Sequence, residues 1–404
     1  MTRIGSEGSS LVRFLHTSDW QIGMRGGGLG RAADTVRQRR IETIERLLAL
    51  ATERECDFVV AAGDLFENNG VDQSQVDDVA RRLRAFPNLE IHAIPGNHDL
   101  PGPGSVFNRA VLRNVPNLRI HVVPEPIALP ELGVTLHPFP VTSKHSLGDP
   151  LEGCPDVSGV DGVHVGLAHG HVITATFGGH EGDVKLPIDP AHVERCGLDY
   201  LALGHWHGTR TFNSGDGAAR IAYSGTHERT AYDETDAGQV LVVEIERKGA
   251  SPTIEAVPTG ALRWDDVIFR FAGDAEVDRF RRAIEAVDAD LVRVIVEGEA
   301  PSRVYAAYRE VLSALEPRVL DARIDDGRLR WTADEDEDPL GPLTDASLAE
   351  VARRIELGPA SGESGQSGES GESGASSDTR NDAAVAREAA LLFARAVREV
   401  GLCD

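Results

Sequence analysis

The sequence predicts an α/β protein in three zones. They are a layered α/β core from 11 to 260, a small α/β domain from 261 to 335, and helices on a flexible linker from 336 to 404. Three observations lead there. Short β-branched runs alternate with amphipathic segments through the first zone, as strands and helices do when they are layered on one another. Pro252, Pro258 and Gly260 then interrupt the pattern, which restarts at Leu262. Residues 361–377 are a Gly/Ser/Glu repeat with too little apolar surface to fold.

Taken in order, residues 1–10 are polar and lack the apolar stretch of a signal peptide, so a disordered lead is expected. Residues 12–17 read as the first strand. A helix over 34–53 follows, with Val36, Ile41, Ile44, Leu47, Leu48 and Ala51 on one face. The unbroken apolar run 58–62 reads as a buried strand, 73–85 as a helix and 91–94 as a strand. Further strands fall at 134–139, 163–168, 200–203, 221–224 and 240–245. The second zone reads strand 267–271, helix 275–287, strand 291–296, helix 302–315, then strands, closed by an acidic run at 334–338. Helices are expected at 345–357 and 383–400, joined by a linker over about 358–381. The last carries Val385, Ala389, Leu392, Phe393, Ala396, Val397 and Val400 at helical spacing. Such a stripe either folds back on its own domain or, on a tether, docks a partner; the tether favours docking.

Composition narrows the classes. No stretch approaches 18 consecutive apolar residues, which excludes a membrane helix. Cys56, Cys154, Cys196 and Cys403 lie far apart with no C-x-x-C pair, against both a disulfide framework and a thiolate metal site. A reducing, cytoplasmic setting follows. The net charge is −24, of which −10 belongs to the 13 acidic and three basic residues of 334–382. That balance lowers the expectation of a polyanionic partner and leaves open binding through metal ions and a local basic strip.

Five short blocks carry the chemistry: Asp19 in Ser18-Asp19-Trp20-Gln21-Ile22-Gly23, Asp64 after Gly63, Gly96-Asn97-His98-Asp99, His169-Gly170-His171, and His205-Trp206-His207 after Gly204. Each follows an apolar strand, at the end where α/β sheets open their ligand crevice. Oxygen and imidazole donors without thiolate suit Mn²⁺, Fe²⁺ or Zn²⁺. A central aspartate can bridge two ions about 3.5–4 Å apart, the spacing of two-metal phosphoester hydrolysis. Singly, each block is an ordinary turn or loop; five in order at five strand ends point to one dinuclear site. His16, His92, His121 and His137 sit in no such block and read as structural.

In this order the blocks resemble the calcineurin-like metallophosphoesterase superfamily. Residues 16–23, 63–67 and 223–229 resemble its SbcD-like DNA repair exonucleases most closely, and the likeness spans about 12–335. It implies a β-sandwich flanked by helices, followed by a small cap domain. It implies two divalent ions, Mn²⁺ foremost, one held by Asp19, Asp64 and His207 and the other by Asp64, Asn97, His169 and His205. His98 would face the scissile phosphate and Asp99 would orient it. The family usually has Asp-x-His in its first block, and here Gln21 stands in the histidine's place, so a weaker first ion is expected. Whether His169 or His171 is the ligand stays open. The resemblance further implies a DNA repair nuclease, acting as a double-strand exonuclease and single-strand endonuclease beside an SbcC-type coiled-coil ATPase, with homodimers common. Candidates for DNA contact are Arg25, Arg31, Arg37, Arg39 and Arg40, which otherwise form a solvated helix face. The rival readings are a small-molecule phosphodiesterase or phosphatase, and a partner-binding scaffold with a degenerate site.

Overall fold

β-Branched and aromatic residues make the strands, and their alternation gives each sheet two faces to bury. The computed structural model describes residues 11–26, 28–144, 146–174 and 186–332, and the chain divides into one unit up to Trp264 and another from Asp265. The first unit runs β1 (Val12–Thr17), α1 (Ala33–Glu53), β2 (Phe58–Ala62), α2 (Gln73–Arg84), β3 (Glu90–Ile94), α3 (Ala110–Arg113), β4 (Leu118–Ile120), β5 (Ile127–Leu129), β6 (Val134–Phe139) and β7 (Val163–His169). It continues through β8 (His171–Val172), β9 (Pro187–Ile188), α4 (Ala191–Cys196), β10 (Tyr200–Gly204), β11 (Arg210–Asn213), β12 (Ala219–Tyr223), β13 (Gln239–Ile245) and β14 (Thr253–Pro258).

Two six-stranded sheets result, ordered β14-β13-β1-β2-β3-β4 and β11-β12-β10-β7-β6-β5. Parallel pairing joins β1 to β4 in the first and β6, β7, β10 and β12 in the second. Antiparallel strands complete the sheets, β13 and β14 beyond β1 in the first and β11 and β5 at the two edges of the second. Phe14, Phe58, Val60, Leu136, Val165, Leu167 and Tyr200 pack between the sheets. The next residues along, Leu15, Val59, Ala61 and Ile91, point the other way, under Ile41, Ile44, Leu47, Val76 and Leu83 of α1 and α2. On the far side Phe139, Ala168, Leu201 and Leu203 pack against α4 and the loop around Leu151 and Val157. This is the helix-flanked β-sandwich that the sequence leads one to expect. The whole apolar face read for α1 is buried, and Arg40 and Thr43 are buried with it.

The second unit comprises β15 (Trp264–Ala272), α5 (Val277–Glu285), β16 (Leu291–Pro301), α6 (Tyr305–Leu315) and β17 (Asp321–Thr332). Its sheet is ordered β15-β16-β17, and Phe271, Phe280, Tyr308 and Trp331 form an aromatic core under the helices. β16 runs five residues past the expected end at 296. Glu297-Gly298-Glu299 breaks the apolar pattern, but backbone pairing to β17 continues across a register shift. The lead at 1–10, the linker, the helices at 345–357 and 383–400 and the stripe from Val385 to Val400 lie outside the described residues. Among the described residues, no helix is long and apolar enough to cross a membrane.

The histidines read as structural are paired within the fold. His16 Nδ1 lies 2.9 Å from the Tyr200 hydroxyl, and His92 stacks on His121 with ring nitrogens 3.1 Å apart. His137 Nε2 is 3.0 Å from His164 Nδ1.

Candidate metal centre

Parallel strands bring their carboxyl ends to one rim, and here two sheets share it. Asp19 and Asp64 lie two residues beyond β1 and β2, Asn97 three beyond β3; His169 ends β7 and His205 follows β10. The sheets meet closely at this point: His169 Nδ1 donates to the Ala62 carbonyl at 2.9 Å. Two glycines permit the approach. A Cβ on Gly63, at φ +89°, would overlap the His169 ring, and one on Gly96 would sit on the Asp64 carboxylate.

Backbone strain gathers at the same rim. Among the described residues seven non-glycines have positive φ, and four of them are Asp19 (51°), Gln21 (42°), Asp64 (53°) and His205 (104°). Such conformations persist only where neighbours over-determine them. Here the Gln21 N–H donates to Asp64 O at 2.9 Å and the Ile22 N–H to Leu65 O at 3.0 Å, which ties the first block to the second. From α1, the Arg40 guanidinium donates to the carbonyls of Trp20, Asp19 and Glu228. The Thr226 hydroxyl adds a bond to Asp19 O at 2.9 Å.

The donor atoms converge. Asp19, Asp64 and His169 place one ligand atom each within 4.8 Å of one another. Asn97 Oδ1 is 3.1 Å from both His169 Nε2 and His205 Nδ1. His169 Nε2 is 3.2 Å from Asp64 Oδ2, and Asp64 Oδ1 accepts the His98 N–H at 2.9 Å. Ser18 Oγ donates to Asp19 Oδ2 at 2.6 Å. On the remaining side His207 Nδ1 meets Glu234 Oε1 at 2.6 Å, and its Nε2 meets the Gln21 amide at 3.0 Å.

Protonation follows the crowding. Burial would lower the His169 imidazole, but the Asp64 and Asp19 carboxylates hold it up at about 9. Burial would raise Asp64, yet His169 and the His98 N–H hold it down. His205 is pushed to about 3 by burial and by the charge of His169, so it stays a neutral imidazole with a lone pair to give. Buried carboxylates that lean on a proton and imidazoles crowded onto one carboxamide oxygen fit a cation: oxygen and nitrogen donors without thiolate match a divalent ion of Mn, Fe or Zn type.

Residues 12–209 match the family described as calcineurin-like phosphoesterase. The chain carries a calcineurin-like metallophosphoesterase domain. Over 292 residues, 64% of this chain and 69% of the relative, it is 24% identical to the SbcD component of the nuclease SbcCD of Bacillus subtilis (strain 168). Over 372 residues, 87% and 76% of the two chains, it is 26% identical to the DNA double-strand break repair protein Mre11 of Haloferax volcanii. The crystal structure of TT1561 of Thermus thermophilus is similar at a TM-score of 0.40 and 14% identity, over 62% of this chain and all of that one.

Within this metallophosphoesterase domain the structure brings together Asp19, Gln21, Asp64, Asn97, His98, His169, His205 and His207. It turns His169 inward, whereas His171 belongs to β8 and bonds Leu186 O through its backbone. Two expectations change. Asp99 does not reach the His98 ring: it is fully buried and accepts the Gly96 and Phe66 N–H groups at 2.7 and 3.1 Å, holding the third block onto the second. The partner of His98 Nδ1 is the Glu67 carbonyl at 2.9 Å, with the Glu67 carboxylate 3.8 Å away. Arg40 is no surface cation. It is 1% exposed and spends its donors on loop carbonyls, where burial pulls it only to about 10, still charged. Of its neighbours, Arg25, Arg31 and Arg39 are exposed, Arg39 pairing with Glu42, and the half-buried Arg37 pairs with Asp34.

Sequence reasoning missed Glu67 and Glu234. Glu234 lies 27 residues from the histidine that it orients, in an acidic turn that no motif marks. The segment Tyr223–Arg229 did signal the family, and its use is now visible: Ser224, Thr226, His227 and Glu228 clamp the first block to α1.

Proposed function

We propose that this chain is a manganese-dependent DNA nuclease, a double-strand exonuclease and single-strand endonuclease working beside a coiled-coil ATPase. The observation that carries the reading is the rim itself, where seven oxygen and nitrogen donors meet with His98 beside them. Asp19, Asp64 and His207, with Gln21 at the edge, would hold one ion; Asp64, Asn97, His169 and His205 would hold the other. Two ions bound there supply Lewis acidity to the phosphoryl oxygens and activate a water at neutral pH. His207 donates Nδ1–H to Glu234, and its Nε2, which here meets the Gln21 amide nitrogen at 3.0 Å, would turn to an ion in place of that amide. His98 donates Nδ1–H to Glu67 O, which leaves Nε2 to meet the scissile phosphate. Protonated, it neutralises charge on the phosphoryl oxygens or hands its proton to the leaving oxygen. Arg25, Arg31 and Arg39 are the exposed candidates for backbone contact.

The names of the two relatives, one a component of a nuclease and the other a protein of DNA break repair, support the substrate and the partner. The free thiols of Cys56, Cys154 and Cys196 support a reducing, cytoplasmic setting. The net charge of −24 favours a second reading, a small-molecule phosphodiesterase. One assay separates them: protein with Mn²⁺ is given duplex DNA, single-stranded DNA and a small aryl phosphodiester. Cleavage of both DNAs, abolished by chelation and lowered about 100-fold by His98→Asn, is expected. Failure to cut either DNA, with or without the ATPase, rejects the nuclease. Deleting 383–404 should abolish ATPase co-purification; unchanged co-purification rejects docking through that segment.

A further inference from the structure

We propose that Cys154 and Cys196 are an oxidisable dithiol, which peroxide converts to a disulfide that staples the loop around Leu151 and Val157 to α4. The two residues are far apart in sequence but adjacent in the fold. The Cys196 thiol donates to the Cys154 carbonyl at 3.6 Å, and the side chains of the two cysteines hydrogen-bond to each other. Both belong to the apolar layer over the second sheet, where Leu151, Val157, Val193 and Cys196 pack together with Cys154 against them.

Contacts on both sides hold the pair in register. Before Cys154, the Asp149 carboxylate accepts the Asp189 N–H at 2.8 Å and meets His192 Nδ1 at 2.8 Å. After it, the Val157 N–H donates to Cys196 O at 2.8 Å, and a Cβ on Gly197 would come within 2.7 Å of the Ser158 backbone. A disulfide needs two backbones held close, and here the loop and the end of α4 run against one another at the two cysteines. Cys154 is half-buried and Cys196 only 1% exposed, so oxidant meets Cys154 first. Peroxide transfers one oxygen to Cys154 Sγ, giving a sulfenic acid and water. Cys196 Sγ then attacks that sulfur, the S–S bond forms, and the hydroxyl leaves with the Cys196 proton as a second water. Two thiols lose two electrons and the peroxide gains them. Burial and the neighbouring thiol push the Cys154 thiol well up, which keeps it protonated and slow to react, so the pair answers sustained peroxide and otherwise stays reduced. The bond closes the stretch from 154 to 196, which contains β7 and the candidate ligand His169. Cross-linking restricts the unfolded chain and so stabilises the folded one.

The test treats the full-length protein with hydrogen peroxide, blocks remaining thiols with iodoacetamide and maps the peptides by mass spectrometry. A cross-linked peptide joining Cys154 to Cys196 is expected, two hydrogens lighter than the sum of its parts, with Cys56 and Cys403 alkylated. The melting temperature should rise by roughly 5–10 °C and return when dithiothreitol is added. Cys154→Ser should abolish both the cross-link and the rise, and Cys56→Ser should keep both. Alkylation of both Cys154 and Cys196 in the oxidised wild type overturns the proposal, as does their conversion to sulfinic acids without a cross-link. A covalent dimer on a non-reducing gel, or a cross-link that leaves the melting temperature unchanged or lower, overturns the staple. The peptide map is read on the wild type, so a Cys154→Ser chain that fails to fold leaves the test intact.

Discussion

Gln21 and Glu234 hold the two nitrogens of one ring. Glu234 binds His207 Nδ1 and is itself held by Thr230 and Ala231, while the Gln21 amide occupies the Nε2 side. Burial opposes charge on the ring, but the bond to Glu234 outweighs it and raises the His207 pKa. Two substitutions should therefore act in opposite directions. Gln21→His offers imidazole in place of a carboxamide and should tighten Mn²⁺ binding at the ion site proposed for Asp19, Asp64 and His207 about tenfold or more in calorimetric titration. No tightening means that position 21 is not a ligand position. Glu234→Gln removes the charge behind the ring and should weaken the same site by ~10–100-fold; an unchanged titration would leave Glu234 a loop-building residue only. The candidate ligand blocks are legible because each is a short polar cluster at the end of an apolar strand. Glu234 is not, since distance in sequence hides a partner that only the folded loop delivers.

At the scale of the element, periodicity accounts for α1 as an amphipathic helix but not for all that the helix buries. Periodicity counts Arg40 among the polar residues and so assigns it to solvent. The helix lies instead over the strained first block, whose carbonyls lack a ladder of their own, and Arg40 supplies the donors. Arg40→Met should leave those carbonyls unpaired, destabilising the fold by roughly 2–4 kcal/mol in denaturant unfolding and loosening metal binding with it. Unaltered stability would mean that water replaces the guanidinium. The sheets carry a second element-scale consequence. Burial lowers His92 and His137 to about 4, below the ordinary value near 6.5. Above pH 6.5 both folded and unfolded chains are neutral there. Between 6.5 and 4 the unfolded chain takes up protons that the folded one refuses, so stability falls as pH falls through that window. The melting temperature of chelator-treated protein should drop from pH 6.5 to 4, and the drop should flatten in a His92→Asn, His137→Asn double variant. An equally steep drop in that variant would place the acid sensitivity elsewhere.

For the whole molecule, the division at Trp264 has a thermodynamic counterpart. The first unit has apolar clusters between its sheets and on both outer faces, and the second has its own around Phe271, Phe280 and Tyr308. Every candidate ligand belongs to the first. A ligand that binds only the folded form stabilises it by RT ln(1 + [L]/Kd), about 2.7 kcal/mol at a hundredfold excess over Kd. That energy should enter one unit alone. Scanning calorimetry should resolve two transitions, of which Mn²⁺ raises one and leaves the other in place, with chelation reversing the shift. The stationary transition should be the smaller in enthalpy, since enthalpy scales with the number of residues ordered. A single transition moving as a whole with Mn²⁺ would mean that the two cores melt together, and that metal binding at the rim of the sandwich is coupled to the unit that follows it.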